Sequence, residues 1–326
     1  MPSLQPTSDA ERFRVTFLVA NWNGKDILQQ CLASIYANTH DIPFEIVVVD
    51  DASSDDSVNM IQTKFPLVKL VVSPVNLGFV GANNLGVQHA AGTYILLLNS
   101  DTVLLNDAAS LLAAYMEDHP DVGVCGPALT GSSGLPQVSY GWPPSLLQGL
   151  VDALFLNDLF PRAGLPSRAI ALPPGKLQPF PVYYINGAAL MIRHSLVEQF
   201  GLFDKRFRAY CEEVDLCWRI RKTACKQVVL VPTAHIKHYE GQSYGQLGEG
   251  RIQILYESYH TFLLKHHGAV YSFITRILYA WHYAVKGVFR GMRYLFANPD
   301  QRARRRQGLT QAFYHVRYSL CAHRKM

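Results

Sequence analysis

Four short stretches gather the residue types that hold cations and move protons: Asp50-Asp51, Asn99-Ser100-Asp101, Glu212-Glu213 and His238. The most informative is Tyr94-Ile-Leu-Leu-Leu-Asn-Ser-Asp101-Thr102, where an apolar run stops abruptly at Asn99, Ser100 and Asp101. In an open α/β sheet, ligands bind outside the carboxyl ends of the strands, so a carboxylate placed there faces the crevice. Asp101 is a hard oxygen ligand, suited to Mg2+ or Mn2+ that also touches a diphosphate. Carboxylates gathered at one rim repel: two unit charges ~4 Å apart cost roughly 4 kcal/mol at an effective dielectric near 20. A divalent cation bridging a diphosphate removes that cost and makes the diphosphate a better leaving group. A carboxylate left off the metal can serve as general base. The set suits displacement at a carbon bearing a nucleoside diphosphate.

The elements that must position these residues are readable from periodicity. Arg14–Ala20, Phe44–Val49, Val68–Val72 and Tyr94–Leu98 are strand-like runs. Between them the 3.6-residue pattern predicts helices over Lys25–Tyr36, Asp56–Phe65 (capped by Ser54 or Asp55) and Val80–Ala90, the last closed by Gly92. A helix over Asn106–His119 and a strand over Val122–Cys125 follow. This alternation predicts an α/β fold with a mainly parallel central sheet and helices on both faces. No G-x-G-x-x-G follows the first strand, so the dinucleotide fingerprint is missing. Regular patterning breaks over 127–181, where 10 of the 18 prolines fall, and the segment reads as an inserted lid or binding loop with a short amphipathic helix over Ser145–Phe160. Beyond it lie a strand over Val182–Ile192, whose small residues at 187–189 admit a close neighbour, and a helix over Tyr210–Ile220. On that helix Asp215 and Arg219 form an i,i+4 pair, with Glu213 rotated off their row. A last strand over Gln227–Val231 leads to His238.

Composition bounds the class. The 326 residues are 49% hydrophobic and 17% charged, enough for one large α/β domain with an appendage. A formal charge of +5 is too mild to argue for nucleic acid. The six cysteines form no Cys-x-x-Cys pair, and their scatter predicts reduced, cytosolic thiols. Residues 1–13 read as a polar lead-in without an apolar signal core, and no run is long and apolar enough to span a membrane.

Seven stretches, in order, resemble the inverting family-2 glycosyltransferases of GT-A fold, in their rhamnosyltransferase-like branch. They are Val19–Gly24, Val48–Asp55, Asn76–Phe79, Leu98–Thr102, Asn186–Leu190, Glu212–Leu216 and His238–Ser243, and together they make 14–245 the catalytic domain. The resemblance implies that Asp51 bonds the nucleobase, with Ala20 and Asn21 lining its pocket and Asp50 beside it. It implies Asp101 and His238 as ligands of Mg2+ or Mn2+, with Asn99 and Ser100 on the donor side and Asn76 and Asn84 on sugar or phosphate. Glu213 takes the place of the base, with Glu212 and Asp215 as alternatives, and Glu212 and Trp218 are candidates for the acceptor side. The first metal-binding aspartate of the family pattern is Asn99 here, and the base is glutamate where aspartate is common. The implied partners are a nucleotide-diphosphate sugar (dTDP-rhamnose or a UDP-sugar) and a saccharide or lipid-linked saccharide acceptor, in cell-surface polysaccharide or glycolipid assembly.

Residues 246–326 read as a helical basic region. Over 251–296, Arg276, Lys286, Arg290 and Arg293 fall on one flank, opposite Ile277, Leu278, Trp281, Val285, Val288, Phe289, Met292 and Phe296. That pattern predicts either a helix lying in an anionic membrane interface on the cytoplasmic face or one packed on the catalytic domain. Arg302–Arg306 is a second anchor or a disordered tail. Two other classes compete: a catalytically silent nucleotide- or carbohydrate-binding protein on the same scaffold, and a nucleotidyltransferase. The latter usually needs a glycine- and lysine/arginine-rich loop after the first strand, which Asn21-Trp-Asn-Gly24 is not.

Overall fold

A computed structural model describes residues 14–160, 163–167, 169–239, 249–296 and 298–320. The expected lead-in and the Glu240–Ser243 part of the last motif lie outside the described residues. From the N-terminus the chain forms β1 (Val15–Asn21), α1 (Lys25–Asn38), β2 (Phe44–Asp50), α2 (Ser57–Lys64), β3 (Lys69–Val72), α3 (Gly78–Gly86) and β4 (Tyr94–Asn99). It continues through β5 (Thr102–Leu104), α4 (Ala108–Asp118), β6 (Val122–Thr130), β7 (Val138–Gly141), α5 (Leu146–Ala153), α6 (Leu156–Leu159), β8 (Ile170–Ala171) and β9 (Phe180–Pro181). Then come β10 (Tyr184–Ile185), β11 (Ala189–Arg193), α7 (His194–Phe200), α8 (Glu212–Lys222) and β12 (Gln227–His238). Three helices follow: α9 (Glu249–His267), α10 (Ala269–Leu295) and α11 (Pro299–Leu320). The chain divides into two compact units, the second made of 142–168, 209–211 and 246–326.

The first unit is built on a sheet in the order β3-β2-β1-β4-β11-β6-β12-β5, with β9 beside β12. Strands β3, β2, β1 and β4 run parallel, as do β6 and β12. β11 is inserted antiparallel to both β4 and β6. Phe17–Val19 and Val47–Val49 are fully buried, as expected of parallel strands covered on both faces. Helix α1 turns Leu28, Cys31, Leu32 and Ile35 into that core, the face its periodicity marks. β10, β7 and β8 make a small second sheet.

Several boundaries differ from the sequence reading. β6 does not stop at Cys125, and β12 does not stop at Val231; they pair on through Pro127 and past Pro232. A proline still offers its carbonyl, and the register shifts between Val231 and His235 absorb the missing N–H. The stretch over 182–192 is two strands in two sheets, separated at Asn186–Ala188. The helix expected over 145–160 breaks at Phe155, which takes φ 56°. Gly92 does not close a helix; the turn after α3 ends at His89, and Gly92 lies against the start of β1.

In the second unit, α5 lies on α10, where Gly149 meets Thr275 and Leu278. Ser258 Oγ on α9 donates to the Ala209 carbonyl at 2.7 Å, and Tyr256, Phe262 and Tyr279 are buried. The single 251–296 helix of the sequence reading is two, parted at Gly268 with φ 84°. The 302–306 segment is part of α11.

Candidate nucleotide and metal site

Strand register builds the first part of the site. In the parallel pairs, Asn21 lies beside Asp50 and Ala20 beside Asn99. The carboxyl ends of β2, β1 and β4 therefore finish side by side, the place such sheets present to ligands. Asp50 is buried and ties both oxygens to this scaffold by one bond each: Asn21 Nδ2 donates to Oδ2 at 3.1 Å and the Ser53 N–H to Oδ1 at 2.9 Å. Asp51 accepts from the Leu77 N–H at 2.7 Å and the Gly78 N–H at 2.9 Å, holding the loop that enters α3. Burial pushes its carboxyl above the ordinary range, against those two N–H donors. Each Asp51 oxygen keeps a second lone pair for a ligand.

The second part comes from a corner. After β4 the chain turns at Ser100-Asp101, held by Thr102 Oγ1 donating to the Asn99 carbonyl at 2.8 Å. It re-enters the sheet as β5, antiparallel to the end of β12, with Thr102 paired to His238. That register sets Asp101 Oδ1 3.2 Å from His238 Nε2. The other ring nitrogen, Nδ1, is 3.0 Å from Gln137 Oε1, a contact that holds the orientation of the ring. Asn99 Nδ2 reaches to 3.5 Å of Nε2, while Asn99 Oδ1 is buried with no donor to meet it. Among the described residues no three His, Cys, Asp or Glu converge on a metal position. A cation placed here would draw on Asp101, His238 and the Asn99 amide, a carboxylate, an imidazole and an amide whose oxygen meets no donor.

The third part is α8. Its N-terminus follows Tyr210 and Cys211, both at positive φ, and it opens with Glu212 and Glu213. Glu213 lies over the backbone of Gly187: a Cβ there would stand 3.6 to 3.8 Å from its Cβ, Cγ and Cδ. The small residues at 187–189 thus admit this side chain. The next residue, Ala188, accepts the Asn99 N–H at 3.0 Å, so one loop ties Glu213 to the end of β4. Burial pushes the Glu213 carboxyl up to about 7, and burial together with Glu213 raises Glu212 well above the ordinary range. Oε2 of each is enclosed and unpartnered.

Other expected residues stand apart. Asn84 bonds the backbone of Phe203 through both amide atoms, at 2.9 and 3.0 Å, which ties its amide to the scaffold. Asp215 pairs with Arg219 at 2.9 Å, and that guanidinium also binds the Phe200, Gly201 and Leu202 carbonyls. This structural cluster takes Asp215 out of the choice of base. Trp218 lies about 140° around α8 from Glu213, with the Lys222 ammonium 5.4 Å from its ring, so it does not share Glu213's face. Asn76 is exposed and accepts from the Gly78 N–H at 3.0 Å. Ser100 is half-buried near Gly24. Gln137 escapes sequence reasoning because it is 101 positions from His238, in the proline-rich stretch, with no spacing to flag it.

Residues 16–160 match the family described as glycosyl transferase family 2. The chain is 27% identical over 253 residues to the N-acetylglucosaminyl-diphospho-decaprenol L-rhamnosyltransferase of Mycobacterium tuberculosis, spanning 74% of this chain and 80% of that one. Among solved structures, the mannosyltransferase PcManGT of Pyrobaculum calidifontis, in complex with GDP-Man and Mn2+, aligns over 98% of this chain and 90% of its own, with TM-score 0.58 and 16% identity. GalNAc-T7, solved with UDP, GalNAc and Mn2+, aligns over 77% of this chain and half of its own, with TM-score 0.55 and 15% identity. At such identities the two structures speak for the fold. The fold is of GT-A architecture, and the relatives the chain resembles are glycosyltransferases. The chain is similar to family-2 glycosyltransferases over its first half, and to a rhamnosyltransferase over most of its length.

Proposed function

We propose that the protein transfers a sugar from a nucleoside-diphosphate donor to an acceptor hydroxyl with inversion, assisted by one divalent cation. Asp101, His238 and the Asn99 amide oxygen hold the cation. When bound, it neutralises the donor's diphosphate and so improves the leaving group. Asp51, with Asn21 and Ala20, receives the nucleobase, and Ser100 and Asn76 line the donor side. Glu213 accepts the proton of the acceptor hydroxyl; that oxygen attacks the anomeric carbon, and the bond to the diphosphate breaks with its electron pair. A single displacement of this kind inverts the centre. A base held near neutrality is suited to the step. The observation that carries the reading is the Asp101–His238 contact, with the Asn99 amide nitrogen 3.5 Å from the same imidazole and its oxygen enclosed without a donor, and Glu213 tied to the same strand end through Gly187 and Ala188.

The donor is a dTDP- or UDP-linked sugar and the acceptor a saccharide on a lipid carrier, met at the cytoplasmic face of a membrane during cell-surface polysaccharide or glycolipid assembly. The mycobacterial relative's name, with a rhamnosyl donor and a diphospho-decaprenol acceptor, supports this. Donor-dependent release of nucleoside diphosphate from wild type, Asp101→Ala and Glu213→Gln tests the mechanism. Loss of turnover in both is expected. Unchanged turnover in both removes it, and metal-dependent nucleotide binding without turnover in the wild type on any acceptor points to a silent binding scaffold.

A further inference from the structure

Helix α10 is turned the opposite way from a helix on the surface of an ordinary globular domain. Its polar flank is the packed one from Ser272 to Arg290. Ser272, Thr275 and His282 are buried, Arg276 Nε donates to the Ser319 carbonyl at 3.0 Å, and Arg290 Nη1 to the Gly308 carbonyl at 2.8 Å. Lys286 pairs with Asp158 at 3.3 Å. The apolar flank is the open one. Phe273, Ile277, Trp281, Val288, Met292 and Leu295 are 44–73% exposed. At ~100° per residue they share an arc of about 100°, and at ~1.5 Å per residue the stripe is about 33 Å long. No charged residue falls within that arc. The neighbouring α5 adds Leu147, Leu150 and Leu154, each about half exposed. A continuous apolar stripe of this length marks an interaction surface.

Charge decides what covers it. Residues 246–326 hold 13 Lys and Arg against 3 Asp and Glu, whereas residues 1–245 hold 17 against 22. The positive excess lies wholly in the part that carries the stripe, with Arg293, Arg302, Arg306 and Arg317 exposed. A second copy would bring the same large positive charge and repel. Nucleic acid would answer the charge but find no use for the stripe. A lipid surface with anionic headgroups answers both, taking apolar side chains at its acyl boundary and basic ones among the headgroups. No helix among the described residues is long and apolar enough to cross a membrane, which leaves a helix lying in the plane.

We propose that the α5–α10 face docks the protein on an anionic bilayer, with the α10 stripe sunk in the interfacial layer and Trp281 at the headgroup boundary. The proposal goes beyond the sugar-transfer reading and needs neither donor nor metal. Flotation with phosphatidylcholine vesicles, with and without phosphatidylserine, tests it on the full chain. Wild type should float with the phosphatidylserine vesicles and come off in high salt. Ile277→Glu/Val288→Glu should bind at least about tenfold more weakly, while Ile277→Leu/Val288→Ile binds as wild type; circular dichroism checks the fold of each. Brominated lipid should quench the wild-type tryptophan fluorescence, and less so in Trp281→Phe, a readout that does not depend on the acidic variant folding. Wild type that stays with the unbound protein, quenching unaffected by Trp281→Phe, or an acidic variant that floats normally would overturn it. So would a wild-type dimer that the acidic variant converts to monomer. Because these assays contain no substrate, their failure leaves the transfer reading standing, and the reverse.

Discussion

Burial opposes the charge of Glu213 and pushes its carboxyl up to about 7, against the pull of nearby backbone N–H groups. The rate should follow its ionised form. We expect kcat/KM to rise through pH 7 and level off above it, and Glu213→Gln to lose about 10²–10⁴-fold in kcat while still binding nucleotide. The same shift has a consequence for stability. Between the ordinary carboxylate value of about 4.3 and about 7, the folded chain keeps a proton that the unfolded chain has released. Stability therefore falls as pH rises across that window. Glu213→Gln should melt higher than wild type at pH 8, by about 2–4 °C for each kcal/mol relieved, and lose that advantage below pH 4. A thermal-shift series in pH reads it directly. Gln137 touches no substrate in this account; it positions His238. Gln137→Ala should weaken Mn2+ binding about 10–100-fold, leaving metal-free folding unchanged. Titration of Mn2+ against each protein separates that from a general loss of structure.

At the scale of elements, the site depends on two registers: β1 with β4, which sets Ala20 beside Asn99, and β5 with β12, which sets Thr102 beside His238. Gly92 guards the first. A Cβ there would stand 2.6 Å from the Thr16 nitrogen and 2.8 Å from the Val15 carbonyl carbon, both backbone atoms of β1 or its edge. Gly92→Ala should destabilise the fold by about 1–3 kcal/mol, measured by urea unfolding, with little effect if the chain entering β4 relaxes away from β1. The parallel strands were legible because their apolar runs are continuous, and Asp101 because Tyr94–Leu98 ends so abruptly. β11 between β4 and β6 was not legible, since nothing local says which distant strands a short run will join. Pro127 and Pro232 gave a misleading stop, because their cost depends on a register shift that only the pairing reveals.

Across the whole chain, sequence patterning carried the GT-A class and pointed to family-2 glycosyltransferases, because seven separate stretches had to occur in order. It placed Asp51, Asp101, Glu213 and His238 on named elements and favoured Glu213 over Glu212 and Asp215, but could not see Arg219 holding the carbonyls of 200–202 or Asn84 bonded to Phe203; partners far apart in sequence make those contacts. It also saw both flanks of α10 without saying which faces out. Binding of donor and metal should stabilise the folded chain as a whole, by about 2.7 kcal/mol at a hundred times Kd.

The central claim is that Asp101, His238 and Asn99 hold one divalent cation for the donor's diphosphate. Electron paramagnetic resonance of Mn2+ titrated into the protein with UDP or dTDP tests it most directly. The account expects one bound Mn2+ per chain in the wild type, retained in Glu213→Gln and lost in Asp101→Ala and His238→Ala. Mn2+ bound equally by the wild type and both ligand variants, or by none of them, would contradict it.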